Sequence, residues 1–499
     1  MKKWLIQDYN LAESGVTFKT DDKELQKVFD DCESLCKKNI GAFGDYTCLI
    51  EGSKYNGVWL ETQPMGGEMY AKRDIKIALA NILVFLRNQR MDGRFPGMIT
   101  SGNEWSGMCV HYDWMQGCFL PHSALKMYYL IGKDNEYLKM LYDSLKAFDD
   151  YLWTYRDSNG NGCLETWCMW DGGDDNSTVF TLNGIKMPEH GPWGKSTPPT
   201  NYKNLPFDSP QYMSYSYACR SVLAKISEIL DNGEKDAWEK KAKFVADKAY
   251  EILWDKDRHA YFNYDKNGEK IDALSQENIK CMYAGMMTPQ MAEQFLCEHL
   301  LNENEFFTPT PLPSIAANDS FFHLNSSQSN CYDKLVALGT VGHDIDDNSW
   351  GGPCNGLIWQ RSIDALLNYE YHKETAVFGK RILDTLKREQ KYVQCYNPFT
   401  GKAANVENGY GPTMLAALEY ISILCGVNIR YDKVLWSAAT DMGEFKYTQR
   451  MFGTDFTLIS DGKEMNAYID GELKFTAPVG NRIETDLKGN TLNTYSLVL

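Results

Sequence analysis

Nothing in the 499 residues amounts to a bilayer-length apolar run, so a membrane-spanning helix is not expected. An excess of basic charge is also missing: 51 Lys and Arg stand against 67 Asp and Glu, for a net charge of −16. Nucleic acid and anionic membranes both require a cationic footprint, so neither is expected as a partner. The opening MKKWLIQDYN has a lysine pair but no apolar core and no small-residue cleavage site. No signal peptide is read there, and a cytoplasmic location is expected. The 14 cysteines lack metal-type spacing, and in that compartment they are expected as reduced, mostly buried thiols. Histidine is scarce, at 8 residues, and no His, Asp and Glu spacing on one helix face suggests ligands. Neither a metal nor an organic cofactor is expected. A low-complexity linker is absent too, and so is any sequence repeat beyond pairs of helices.

What is present is globular. Hydrophobic residues make up 43% and charged residues 24%, enough for one large core or two to three ordinary ones. Aromatics reach 13%, with 13 Trp and 30 Tyr. Flat apolar rings stack on sugar faces, although large cores use the same residues.

From about residue 21 to 428 the apolar spacing is helical. Helices are expected over 22–40, 71–90, 121–132, 136–156, 213–230, 235–254, 288–301, 354–371, 373–392 and 411–426. Some of these are apolar on most sides and others charged on one face. Two concentric rings of helices would produce that division, and an (α/α)6 barrel has this layout. After Gly426 the pattern turns to alternation, with turn signals at Asp461–Gly462 and Asp470–Gly471. The expected fold is therefore mostly α: a barrel over residues 1–430 and a small β-sandwich-like domain over 431–499.

The stretch WDGGDDNS, residues 170–177, holds Asp171, Asp174 and Asp175 within five positions. A solvated acidic turn or a calcium-binding loop would show the same residues. Glycoside hydrolysis offers another use, because it needs one protonated and one ionised carboxyl group. Crowded carboxylates and burial both raise a carboxyl pKa. The upstream DSNGNGCLE (157–165) begins like a calcium loop but has Cys168 at the twelfth position, and it reads as a turn.

WDGGDDNS resembles the W-E-S-G-x-D-N-S segment of inverting (α/α)6 glycosidases. That group includes mannosylglycerate hydrolase, the glucosidase-I-like enzymes of glycoside hydrolase family 63 and, more distantly, trehalase. NSWGGPCNGLIWQRSIDALLNY (348–369) is similar to the group's N-Y-W-R-G-P-x-W helix entry, and TPTPLPSIAANDSFF (308–322) to its Pro-Ser loop. YNPFTGKAANVENGYGPTMLAALEY (396–420) is similar to its E-x-Y-[DN]-P-x-T-G segment. The resemblance covers roughly residues 110–425. It implies an inverting hydrolase of α-linked gluco- or manno-configured sugars, with Asp175 as general acid.

Two departures stand out. The group's general base falls on Gln394, and an amide cannot take a proton from water. Three explanations stay open: another carboxylate takes over, with Glu407 the first candidate; the residue is an engineered Glu→Gln replacement; or the protein binds sugar without hydrolysing it. The group's Arg in W-R-G-P falls on Gly351, which removes a bidentate donor.

Candidate pocket residues are Trp170, Asp171, Asp174, Asn176, Trp350, Trp114, Gln116, Arg94 and Tyr396, with Asp113 nearby. Arg94 lies in a Gly/Pro loop, GRFPGMI (93–99), where barrel loops line a site. The polar stretch at 59–74 offers Glu61, Glu68 or Asp74. His111 and His190 lie in loops, without the motif of the N-acylglucosamine epimerases that share this barrel.

Overall fold

The computed structural model describes residues 3–102, 107–185, 203–324 and 348–498. Helices dominate to residue 424 and antiparallel strands follow. Three helix starts show how the sequence sets them. Asp22, Asp74 and Asp134 each sit in extended backbone and accept from two amides of the first turn, opening Lys23–Lys38, Ile75–Arg87 and Asn135–Tyr155.

From Leu120–Leu130 on, burial sorts the helices into two kinds that alternate along the chain; the preceding Ile75–Arg87 is buried over most of its length. Gln63–Tyr70, Leu120–Leu130, Pro210–Leu230, Glu277–Ala284, Gly356–Leu367 and Gly411–Leu424 are enclosed over most of their surface. Lys23–Lys38, Lys235–Leu253 and His372–Glu389 bury one stripe and present charge on the other. Each enclosed helix packs on the next, and Gly411–Leu424 packs back on Gln63–Tyr70. The short Gln63–Tyr70 and Glu277–Ala284 helices were not anticipated, because eight residues are too few for periodicity to register.

Two antiparallel sheets follow. One runs Gly15–Thr20, Glu444–Met451, Thr454–Asp461, Glu464–Ile469, Glu472–Pro478, and the other Cys425–Arg430, Lys433–Ala438, Asn481–Asp486, Thr491–Ser496. Trp436 of the second lies against Phe456 and Phe475 of the first, with ring centroids 6.1 and 5.9 Å apart. Both Asp-Gly turns form; Asp470 and Gly471 take positive φ, 48° and 82°, as a tight hairpin requires. The strands do not divide at residue 430: Gly15–Thr20 pairs with Glu444–Met451, and Cys425–Arg430 is already sheet. No disulfide joins the described cysteines, most of which are buried. No described helix is long and apolar enough to cross a membrane.

Candidate active site

The three aspartates of WDGGDDNS go to three different environments. Asp171 is buried, and Arg156 donates to it with nitrogens at 2.5 and 3.3 Å, joined by the Met115 and Trp167 amides. Burial alone would raise this carboxyl, but Arg156 and the amide donors outweigh it and hold the group below its ordinary value. Asp174 takes the Lys280 ammonium at 2.8 Å and the Gln276 amide at 2.8 Å. Lys280 also donates to the Gly172 carbonyl and Gln211, and burial lowers its own pKa. Both aspartates are therefore committed inside the protein, which corrects their expected contact with substrate.

Asp175 is different. Its Oδ2 accepts only a long bond of 3.3 Å from Asn348, and its buried Oδ1 has no partner among the described residues. Burial, with Asp174 adding a like charge and Asn348 and Lys54 opposing, pushes this carboxyl up to about 7. Repulsion within the acidic run is thus a minor cause, and Asp171 is neutralised by Arg156.

The turn that holds Asp175 is set locally. Asn176 is left-handed at φ 55° and donates to the Asn348 carbonyl at 2.8 Å, and Ser177 caps the Thr178–Thr181 helix. Gly173 is also left-handed, at φ 75°, and a Cβ there would lie 1.9 Å from a Glu61 oxygen. Gly173→Ala is expected to destabilise the protein by about 2 kcal/mol, through the positive φ and the overlap together, as read by urea denaturation. An unchanged midpoint would mean that Glu61 is not held where the structure places it.

Two further carboxyls, both buried, lie within electrostatic reach of Asp175. Glu61 receives Arg361 at 2.8 Å, yet burial keeps it well above its ordinary pKa. Arg361 also lies under the rings of Phe119 and Trp350. Glu51 makes no ion pair among the described residues; the Tyr410 hydroxyl lies beside it. Burial pushes Glu51 up to about 8, with Tyr410, Arg361 and Lys54 opposing and Asp175 adding to the rise. Four residues on, Tyr55 donates to the Gln394 side-chain Oε1 at 2.8 Å, and the Gln394 Nε2 donates to the Asn348 Oδ1 at 3.4 Å. A hydrogen-bonded chain therefore runs from the Glu51 turn through Tyr55, Gln394 and Asn348 to Asp175.

The remaining expected residues divide. Trp170 and Trp114 are half-buried, with rings 4.5 Å apart, and Gln116 donates its backbone amide to the Trp170 carbonyl. Trp350 is 2% exposed, its amide bonded to the Asp175 carbonyl at 3.2 Å, so it backs the acid rather than facing a sugar. Arg94 is 1% exposed and bonded to the Tyr151 hydroxyl, where it adds positive charge near Asp171. Tyr396 is fully buried against Trp359, its hydroxyl on the Lys391 carbonyl. Both were expected at the pocket, and core packing claims them instead.

Glu407 is exposed, and Ser53 bonds its backbone carbonyl, not its carboxylate. An exposed carboxylate stays solvated, so Glu407 does not join the buried group around Asp175. Glu68 is taken by Lys126 at 3.1 Å, and Asp74 is a helix cap. His111 meets the Thr100 hydroxyl; His190 lies outside the described residues.

Sequence reasoning missed Glu51, Tyr55, Asn348, Arg361, Lys280 and Tyr410. Asn348, Arg361 and Tyr410 stood inside stretches already singled out; Glu51 and Tyr55 lie in CLIEGSKYNGVW, which carries no motif or period.

Buried carboxyls held by arginine and lysine beside two acids with no ion pair among the described residues, Asp175 and Glu51, and half-buried tryptophans nearby suit a site of the glycoside hydrolase class. The chain belongs to the family described as the mannosylglycerate hydrolase MGH1-like glycoside hydrolase domain, whose profile matches residues 69–412. Among solved structures, the family 63 mannosylglycerate hydrolase of Thermus thermophilus, in complex with glucose, is 18% identical with a TM-score of 0.61. That match covers 79% of this chain and 99% of the other. Neutral trehalase of Saccharomyces cerevisiae is 13% identical, with a TM-score of 0.54 over 79% of this chain and 80% of the other. An alpha-L-rhamnosidase from Dictyoglumus thermophilum is 12% identical, with a TM-score of 0.52 over 94% of this chain and 45% of its own. No curated protein sequence matches the chain.

Proposed function

We propose that the protein is an anomer-inverting glycoside hydrolase of α-linked gluco- or manno-configured glycosides, built on an (α/α)6 barrel. The alternation of enclosed and one-sided helices, with the enclosed ones touching in succession, supports the barrel. The observation that carries the activity is Asp175, a half-buried residue whose carboxyl has one enclosed oxygen without a partner among the described residues and is raised to about 7. A carboxyl that keeps its proton near neutral pH donates it to the leaving oxygen as the glycosidic bond breaks.

Inversion needs a second carboxyl, ionised, to take a proton from water on the opposite face, roughly 6.5–9.5 Å from the first. Glu51 takes this role in place of Gln394. It is buried, unpaired by any described cation, and within electrostatic reach of Asp175. Gln394 and Tyr55 then orient the water or a sugar hydroxyl without accepting a proton. Glu61 and Arg361 form a fixed pair that positions the pocket, and Trp170 and Trp114 supply stacking surfaces.

The pH profile follows from the two carboxyls. Asp175, facing Asp174, Lys54 and Asn348, must keep its proton, which it loses as pH rises through about 7. Glu51, facing Tyr410, Asp175, Arg361 and Lys54, must lose its proton, which it does as pH rises through about 8. The competent form is a minority species whose share is greatest between the two, so kcat/KM is expected to be bell-shaped with a maximum at about pH 7.5. A panel of α-glucosides and α-mannosides, followed by proton NMR, tests the reading. The first sugar released is the β anomer; release of the α anomer rules out the single displacement.

The Gln394 amide favours one other reading, a sugar-binding protein without turnover. It gives saturable binding across the same panel and no release.

A further inference from the structure

Far along the Gly356–Leu367 helix from the site just described, a crevice of about 330 Å³ lies between the helical part and the second sheet. Its lining includes His372, Arg430, Lys433, Tyr495, Glu370 and Arg482. Arg482 is on the central strand Asn481–Asp486, paired to Ser437 on one side and Tyr495 on the other. Its neighbour Ile483 pairs with Trp436, the residue packed against the opposite sheet, so alternation turns Arg482 toward the helices.

Arg482 is fully buried, and none of its three guanidinium nitrogens has a hydrogen-bond partner among the described residues. The other described buried arginines, Arg94, Arg156, Arg220 and Arg361, each place at least one nitrogen on an acceptor. The acidic groups near Arg482 or lining the crevice are committed elsewhere: Glu484 to Lys433 at 2.7 Å, Asp432 to Lys133 at 2.8 Å, and Glu419 to Lys72 at 2.6 Å; Asp364 holds Arg430 at 3.0 Å. Glu370 is exposed at the rim. His372 stacks on Tyr495 at 3.7 Å, and burial, with Arg482 and Arg430 adding positive charge, lowers it to about 3, so it stays neutral.

A buried guanidinium without an acceptor is strongly unfavourable, and an apolar side chain of similar volume would pack there at no such penalty. A bound acceptor reverses that balance. We propose that this crevice is a binding site for a small oxyanion, a carboxylate or phosphate group, gripped by the Arg482 fork and flanked by Arg430. The planar fork matches two oxygens of either group, and Arg430 adds charge without leaving Asp364.

Titration calorimetry of the full chain with inorganic phosphate and with malonate, chloride holding the ionic strength constant, tests this. At least one anion is expected to bind saturably at one per chain and to raise Tm in step with its concentration. Arg482→Met is expected to weaken that binding by at least about tenfold while folding at least as well, since it removes an unpaired buried charge. Arg482→Lys keeps the charge but loses the fork. A larger loss for malonate than for phosphate marks a carboxylate site, and the reverse marks a phosphate site. The proposal is overturned if neither anion saturates, or if both bind the Met variant as well as the parent. Should the Met variant fail to fold, undiminished binding of both anions to the Lys variant overturns it equally.

Discussion

Asp175→Asn lowers kcat on an α-linked disaccharide by about a thousandfold, while an aryl glycoside with a dinitrophenolate leaving group loses less than about tenfold. The difference arises because a poor leaving oxygen must be protonated as its bond breaks, and a good one need not be. The same substitution stabilises the fold. Burial raises the Asp175 carboxyl from 3.8 to about 7, so ionising it in the folded state is unfavourable. Stability is therefore lost as pH climbs from the ordinary carboxylate range to about 7, and the loss is constant above that. Asparagine carries no such penalty, so the variant's advantage in Tm grows over this window and then levels. Full activity of Asp175→Asn on the disaccharide would remove Asp175 from the mechanism.

Glu51→Gln lowers turnover by about a thousandfold whatever the leaving group, since every substrate needs an activated water. Removing the side chain altogether, in Glu51→Ala, leaves room for azide. The azide nitrogen forms the new bond to the anomeric carbon as the bond to the leaving oxygen breaks, and Asp175 gives that oxygen its proton. An α-glycoside then yields the β-glycosyl azide. Gln394→Glu separates this mechanism from its rivals. With Glu51 as base, a new carboxylate beside Asn348 adds repulsion and gains nothing. If instead Gln394 marks a disabled site, the same change creates turnover and Glu51→Gln alters little. Turnover that appears only in Gln394→Glu assigns the base to that position.

The helices were legible because burial in a helical layer imposes a period on the chain. The apolar run at 75–87 announces itself without any neighbour in view, although Asp74, offered as a pocket residue, is the cap that starts it. Gly411–Leu424 is apolar on every side for the related reason that other helices enclose it. The motif singled out Asp175 within the acidic turn, although it could not say that Asp171 and Asp174 are paired. That depends on Arg156 and Lys280, from remote helices, which claim Asp171 and Asp174. Glu51 was illegible for the same reason. Its raised pKa comes from burial, with Asp175 adding to it and Tyr410 opposing, and folding alone brings these around it. Glu407 misled because closeness to a motif in sequence was read as closeness in space, and its loop turns the side chain outward.

The pairing of Gly15–Thr20 with Glu444–Met451 bears on how the chain is made. Gly15 leaves the ribosome early, but its partner Arg450 emerges only after the whole helical part has been synthesised. At typical bacterial and eukaryotic elongation rates that interval is roughly 20 to 90 s. Throughout it the first strand has an unpaired edge, and Phe18, buried against Phe29 and Tyr447 in the finished fold, lacks one of its two ring partners. The last sheet therefore closes over the first residues as a late, long-range event. Release of the nascent chain before residue 451 would leave the helical part formed but with an open strand edge for another chain to occupy.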